Sequence, residues 1–363
     1  MNMQEKKKLL IVCPHPVGVA PGQRLKYEQY FEYFEQNGYE LDIRPFQTMR
    51  FWEIVFKKGF LLEKVFWTLY GYLQRFLLLF QLRNYDTVYI FLWVTPFGPP
   101  FFEALYSKIS RKMIFDIDDL VFLGKSSANN SWISKIKGKQ KPIYLMKHAH
   151  HVITCTPYLD KFVRQFNQNT TDISSTINTH TYQPINSYQN DHKIILGWSG
   201  SHSTAKYLYL LKDVFIELNR RVPFKLLVMG AQSFEIEGVE VEVVPWSEAA
   251  EIPTIQRFDI GLYPLPDEEW VHGKSGLKAL QYMAMGVPTV ASRIGEAIER
   301  VIADGESGFL VRGYKEEWLE KLTLLIENPT MREKIGKMGR NTVVEKYSID
   351  ANKDTYLKVI ASN

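Results

Sequence analysis

Short apolar runs alternate along the chain with stretches in which apolar residues recur at the spacing of a helix face. That alternation predicts parallel strands covered on both faces by helices, an α/β architecture. In the first half the strand candidates are Lys8–Cys13, Tyr39–Pro45, Thr87–Trp93, Lys112–Asp116 and His151–Cys155. In the second half they are Lys193–Trp198, Lys225–Met229, Val239–Val244, Asp259–Tyr263, Thr289–Ala291 and Gly308–Val311. Each half therefore carries its own strands, which predicts two Rossmann-like domains with a ligand at the carboxyl ends of the strands. Between them Asn167 to His192 is polar and aperiodic, as a linker is, and the boundary is expected near Pro184. The expected division is 1–184, 185–345 and a C-terminal helix over 346–363 that packs back on the first domain. Helices are also expected over Glu316–Asn328, Thr330–Tyr347 and Ile349–Ile360.

Composition narrows the class. At 363 residues the chain exceeds one ordinary core. Its 45% hydrophobic and 23% charged residues are those of a folded protein. The formal net charge of +4 is mild, and no dense Lys/Arg stripe points to nucleic acid. The two cysteines, Cys13 and Cys155, both fall in apparent buried strands, which fits a reducing compartment. The apolar run after the basic N-terminus is too short for a signal peptide, so a cytoplasmic location is expected. The sequons at Asn129 and Asn169 then carry no weight. No Walker loop, spaced-glycine dinucleotide fingerprint, HExxH or paired-Cys zinc motif is present.

The most informative stretch is GKSGLKALQYMAMGVPTVAS, 273–292. A Gly-Lys-Ser-Gly loop (Gly273, Lys274, Ser275, Gly276) runs into a helix expected over Leu277–Met285, whose start offers unpaired N–H groups to an anion. Lys274, Lys278 and Gln281 are spaced to share one helical face, with Leu277, Leu280 and Ala284 turned to the core. Two ammonium groups and an amide suit a diphosphate and a ribose edge; two solvated lysines before a Gly C-cap fit the same pattern.

Leu280 to Ser292, Gly295-Glu296 and DGESGFLV (304–311) resemble the family 4 retaining glycosyltransferases of the GT-B fold, in particular a bacterial subgroup with a Lys-rich loop here. The resemblance implies two Rossmann-like domains facing across a cleft, a nucleotide-sugar donor, a glycan or lipid-linked acceptor, retention of configuration and no divalent metal or other cofactor. In that family two glutamates flank the loop and the second holds the donor ribose; here Gly273 and Gln281 stand at those positions. The family's Gly-Arg pair and following Lys, which hold the diphosphate, correspond to Gly200, Ser201 and Lys206, so the arginine is missing. Lys274 is a candidate to replace its charge. Ser201, Ser203 or Thr204 is expected to cap the helix that follows.

In the first half, LLIVCPHPVGVAPGQRLKYEQYFEYF ends a strand in a Gly/Pro-rich loop and opens a helix near Gly22. The family's corresponding loop approaches the donor phosphates and the acceptor, making Gly18, Gly22, Gln23 and Arg24 candidates. Arg24 near a helix start opposes the dipole, which a bound anion would explain; an ordinary surface arginine is the alternative. KMIFDIDDLVF, 112–122, carries Asp116, Asp118 and Asp119, converging carboxylates of which one is expected to have a raised pKa. Asp118 or Asp119 could orient the acceptor or take its proton, or cap the next helix. Asp267, Glu268, Glu269 and His272 lie ahead of Lys274 and are weaker candidates, and Trp246 could pack on the base or in the core.

Arg50 to Arg83 is rich in Phe, Leu and Trp but interrupted by charges, too short a run for a spanning helix. It reads as one or two amphipathic helices lying at a membrane interface, covering the sheet or forming a dimer face. The functional alternatives to transfer are a nucleotide-sugar epimerase of the same fold and a non-catalytic sugar- or lipid-binding subunit.

Overall fold

In the first part of the chain the strands are β1 (Lys7–Cys13), β2 (Tyr39–Pro45), β3 (Thr87–Phe91), β4 (Met113–Asp116), β5 (His151–Thr154) and β6 (Thr170–Asp172). The computed structural model describes residues 6–120, 140–184, 193–313 and 315–362. The Asn129 sequon, Val121 and Phe122, and the 185–192 part of the linker stretch lie outside the described residues. The chain divides into one unit of Met1–Ser175 with Lys353–Asn363 and a second of Thr176–Asn352.

The first unit is a six-stranded sheet in the order β2-β1-β3-β4-β5-β6, every neighbouring pair parallel. The apolar runs of β1 and β3 are buried through Leu9–Cys13 and Thr87–Phe91, as a sheet covered on both faces requires. Its core gathers Leu10, Val12, Ile90, Phe115, Val152 and Leu159. The helix Ile349–Ala361 enters this unit from Lys353 onward, with Tyr356 buried against Tyr30 and Phe34. Lys112 holds the end of that helix by donating to the carbonyls of Val359 (2.9 Å) and Ile360 (2.8 Å).

The second unit holds β7 (Ile195–Ser199), β8 (Lys225–Met229), β9 (Glu240–Val244), β10 (Ile260–Tyr263), β11 (Thr289–Ser292) and β12 (Phe309–Val311). Their order is β12-β11-β10-β7-β8-β9, again parallel throughout. Strand order reverses beside β7, which makes its carboxyl end, next to that of β10, the topological switch point. Arg340, on the helix Pro329–Thr342, ties the far end of the helix Leu277–Ala284 in place by donating to the carbonyls of Ala284, Tyr182 and Thr179.

Strand boundaries fall within two residues of those expected, with β6 as the addition. Its Thr-Thr-Asp carries no apolar pattern, and it forms inside the stretch read as linker by adding to the edge of β5. The helix expected from Gly22 is shorter than its pattern suggests: Pro21–Arg24 makes one turn, followed by a 3-10 turn Glu28–Tyr30 and the helix Phe31–Gln36. Arg24 thus closes a helix rather than opening one, and the dipole argument for an anion beside it falls away. Arg50–Arg83 becomes two helices, Met49–Val55 and Leu61–Leu79. No helix among the described residues is long and apolar enough to cross a membrane.

Candidate functional site

At the switch point of the second unit the side chain of Lys278 comes from the first turn of the helix Leu277–Ala284. Its ammonium lies 4.3 Å from the ring centroid of Trp198, at the end of β7, and 5.7 Å from that of Tyr263, at the end of β10. The backbone makes room for it: a Cβ at Gly200 would fall 2.7 Å from Lys278 Nζ. Gly230 follows β8 with φ +89°, and a Cβ there would meet the Gly200 carbonyl oxygen at 1.9 Å. Ser199 is held by the Tyr282 hydroxyl, 2.8 Å from its N–H and 3.0 Å from its Oγ.

Burial pushes the Lys278 ammonium down from 10.5 to about 7, and the neighbouring Lys274 ammonium adds to the shift. Among the described residues no carboxylate offsets it. A half-buried cation with only aromatic faces and another cation around it is poorly satisfied by the protein. An anionic ligand would satisfy it.

Lys274 is not on that helix. It ends the 3-10 turn Glu269–Gly273 in extended backbone, and Gly276, at φ +78°, separates it from Leu277. Its ammonium lies 5.5 Å from the Trp270 ring. Trp270 in turn packs on Tyr207 (centroids 5.7 Å apart), over which the exposed Lys206 lies at 5.2 Å. The structure therefore brings Lys206 and Lys274 to one aromatic pair, and Lys278 and Gly200 to another aromatic group. Ser275 and Gly276 are buried, with Gly276 facing Ile298 and Val301.

The expected single face of Lys274, Lys278 and Gln281 does not form. Gln281 is buried, and its Nε2 donates to Glu251 Oε1 at 3.1 Å and Tyr182 Oη at 3.3 Å. Glu251 also accepts from the Tyr182 hydroxyl and, at 2.8 Å, from Trp246 Nε1. The Gln281 amide is thus committed inside the protein, while Leu277, expected in the core, is half-exposed. Trp246 is exposed beyond β9, so it is not a core residue.

The capping expected after β7 is also absent. The helix that follows is a 3-10 segment, Ala205–Leu211, without a side-chain cap. Ser201 Oγ instead bonds Ser203 Oγ at 2.9 Å and Thr204 Oγ1 at 3.1 Å. Of the weaker candidates, Asp267 and Glu269 are exposed, Glu268 accepts from Trp270 Nε1 at 2.8 Å, and the His272 ring lies beside Gly295.

In the first unit the loop after β1 is largely occupied with itself. Gly18, at φ +83°, donates its N–H to Glu28 Oε2 (2.9 Å). Gln23 is buried; it accepts from the His15 N–H and donates to the His15 carbonyl and to Glu28. Gly22 does approach a candidate, since a Cβ there would lie 2.8 Å from Asp118 Oδ2. Arg24 is half-buried beside this loop.

Of the three carboxylates Asp116 is fully buried, 2.6 Å from Lys26 Nζ and accepting from the Tyr89 hydroxyl. Burial pushes its pKa up against the opposing pull of Lys26, so the cause is desolvation rather than the expected repulsion among the aspartates. For Lys26, burial pulls downward, but Asp116 and further anions outweigh it and the net direction is up. The Asp118 carbonyl accepts from Cys155 Sγ (3.1 Å), and Asp119 Oδ1 accepts from the Leu120 N–H (2.8 Å). A helix for these aspartates to cap would fall outside the described residues. Among the described residues no group of three or more His, Cys, Asp or Glu side chains could hold a metal ion.

Sequence reasoning missed Lys26, Trp198, Tyr263, Gly230 and Arg75. Arg75, read as a mere interruption of an apolar run, is buried and donates to the carbonyls of Val94 (2.9 Å) and Cys13 (3.0 Å), joining the ends of β3 and β1. The Trp198-Ser199-Gly200 run was the one local signal, an aromatic and a glycine two positions apart at a strand end.

Residues 193–328 match the family model described as "Glycosyl transferases group 1". The chain is 44% identical over 152 residues to a D-inositol 3-phosphate glycosyltransferase of Arthrobacter sp. (strain FB24), covering 39% of this chain and 34% of that protein. It is 25% identical over 164 residues to the capsular polysaccharide biosynthesis glycosyltransferase CapM of Staphylococcus aureus, 42% of each chain. These matches span well under half of the relatives' length. Whole-chain likeness comes from solved structures: a sucrose-phosphate synthase from Thermosynechococcus elongatus superposes with TM-score 0.72 over 98% of both chains at 16% identity. HepE from Anabaena, in complex with UDP and glucose, superposes with TM-score 0.66 over 99% of this chain and 100% of its own at 15% identity. With two six-stranded parallel sheets, the chain has the GT-B type of α/β fold.

Proposed function

We propose that this chain is a glycosyltransferase that moves a sugar from a nucleotide-diphosphate donor to a glycan or lipid-linked acceptor in surface polysaccharide synthesis. The observation that carries the reading is the poorly satisfied Lys278 ammonium at the switch point, inside the stretch that matches the glycosyltransferase model. Relatives named for capsule and lipopolysaccharide core synthesis support the polysaccharide setting.

In this reading Lys278 holds the donor diphosphate, and Lys274 and Lys206 add positive charge as the bond from the anomeric carbon to the phosphate oxygen breaks. Gly200, Ser201, Ser275 and Gly276 bring backbone to the phosphates. No divalent metal is required, because the lysines and the helix start neutralise the leaving diphosphate. Asp118, next to Gly22, orients the acceptor hydroxyl; Gly18 and Arg24 belong to the same loop region. Gln281 acts indirectly, by fixing Glu251 and Trp246. Retention of configuration follows from the resemblance to family 4. Two buried cysteines fit the cytoplasm, and a lipid-linked acceptor would put the enzyme at the inner face of the membrane.

The test is a thermal-shift screen of nucleoside diphosphates, followed by the matching sugar donors with and without acceptor. Stabilisation by one diphosphate and acceptor-dependent release of it support transfer; the anomeric configuration of the product, read by NMR, tests retention. Conversion of the donor's sugar without any acceptor would instead mean an epimerase, and binding without turnover a non-catalytic subunit.

A further inference from the structure

The helix Leu61–Leu79 is amphipathic in the reverse of the usual sense. Leu62, Val65, Phe66, Leu69, Leu73 and Phe76 fall on one helical face, and all are exposed, Leu62 at 86% and Leu69 at 64%. No charged or amide side chain interrupts that face. The opposite side is the one that packs inward, burying Gly71, Arg75, Leu78 and Leu79. Phe56, Phe60 and Phe80 extend the apolar surface past both ends, Phe80 at 75% exposure. At 19 residues the helix is ~28 Å long, so the strip exceeds the scattered apolar exposure normal for a soluble surface.

Charge decides what covers it. Lys57 and Lys58 are exposed just before the helix and Arg83 just after it, and none of them is paired with a carboxylate among the described residues. The acids of the region are neutralised, since Glu63 takes a bidentate pair from Arg50 (2.7 and 3.0 Å) and Glu53 lies 3.7 Å from the same guanidinium. A second copy docked face to face would set cations against cations, whether the helices ran parallel or antiparallel. An anionic, apolar surface matches both features at once.

We propose that this face lies in the headgroup region of a bilayer containing anionic lipid, the helix axis parallel to the membrane plane, with Lys57, Lys58 and Arg83 on the phosphates. It gives the 50–83 region a defined partner and orientation, and it does not depend on the donor reading.

The test is co-sedimentation of the full chain with vesicles of phosphatidylcholine alone and of phosphatidylcholine mixed with phosphatidylglycerol, with no sugar donor or acceptor present. The expected result is binding to the mixed vesicles that weakens with added salt. The triple variant F66S/L69Q/L73Q, checked for an unchanged thermal transition, should lose at least ~100-fold in partitioning. K57A and K58A should each lose about fivefold on the mixed vesicles only. No vesicle binding by the parent chain overturns the proposal, and a dimer in sedimentation velocity that the triple variant dissociates would identify a second copy as the occupant. A triple variant that binds as well as the parent also overturns it. Because sugar transfer is assayed separately, failure here leaves that reading standing, and the reverse holds too.

Discussion

Each unit of this chain contains a lysine near the carboxyl ends of its strands, and the protein treats the two in opposite ways. Lys26 is fully buried, but Asp116 lies 2.6 Å away and keeps it charged. Lys278 meets aromatic rings and a second ammonium, and its pKa falls to about 7. A paired buried charge holds a fold together. An unpaired one is a liability unless something outside the chain completes it. The same residue type thus marks a structural element in one unit and the proposed ligand site in the other, and only its surroundings distinguish them.

The largest expected effect breaks the structural side of that comparison. Asp116→Asn leaves Lys26 uncompensated and should destabilise the protein by ~3–5 kcal/mol in urea unfolding. The double variant with Lys26→Met should recover much of the loss. Lys278→Met should do the reverse on both axes. Turnover should drop ~100- to 1,000-fold. The melting temperature without ligand should stay level or rise, because at pH 7 and below the folded state no longer carries a poorly solvated charge. A variant that is unstable but active would reverse the two assignments.

The third prediction concerns pH. A bound diphosphate raises the Lys278 pKa above its free value of about 7, so binding takes up a proton. Affinity is then at its full value below pH 7 and weakens as pH rises from there toward the pKa of the complex. The slope should approach ~10-fold per pH unit, and calorimetry in buffers of different ionisation enthalpy should register the proton uptake. In Lys278→Met that component should vanish. The smallest effect is expected at Lys206, which is exposed over Tyr207. Lys206→Ala should weaken donor binding by only about fivefold, with stability changed by less than ~0.5 kcal/mol. A loss as large as that of Lys278→Met would show that the exposed lysine, not the half-buried one, carries the diphosphate.

Much of the architecture was legible because it rests on local pattern. Runs such as Leu9–Cys13 and Leu226–Met229 are buried on both faces and advertise it in consecutive apolar residues. Thr170–Asp172 was illegible for the converse reason: a polar triplet becomes a strand only because β5 offers it an edge. At the site, the location of Lys278 was readable from its helix start, whereas the role of Gln281 was not. Its amide is taken by Glu251 and Tyr182, 30 and 99 positions away in sequence. Spacing on a helix wheel contains no information about such partners.

The sequence alone determined two parallel α/β units, a glycine-bounded helix start carrying Lys278, and an amphipathic segment over 50–83, because periodicity and turn chemistry act between near neighbours in the chain. Tertiary structure alone decided that Lys26 has a carboxylate partner while Lys278, among the described residues, has none, and that the helix Leu61–Leu79 turns its apolar face outward. Those outcomes depend on desolvation and on contacts between residues far apart in the chain, which exist only once the sheets have assembled.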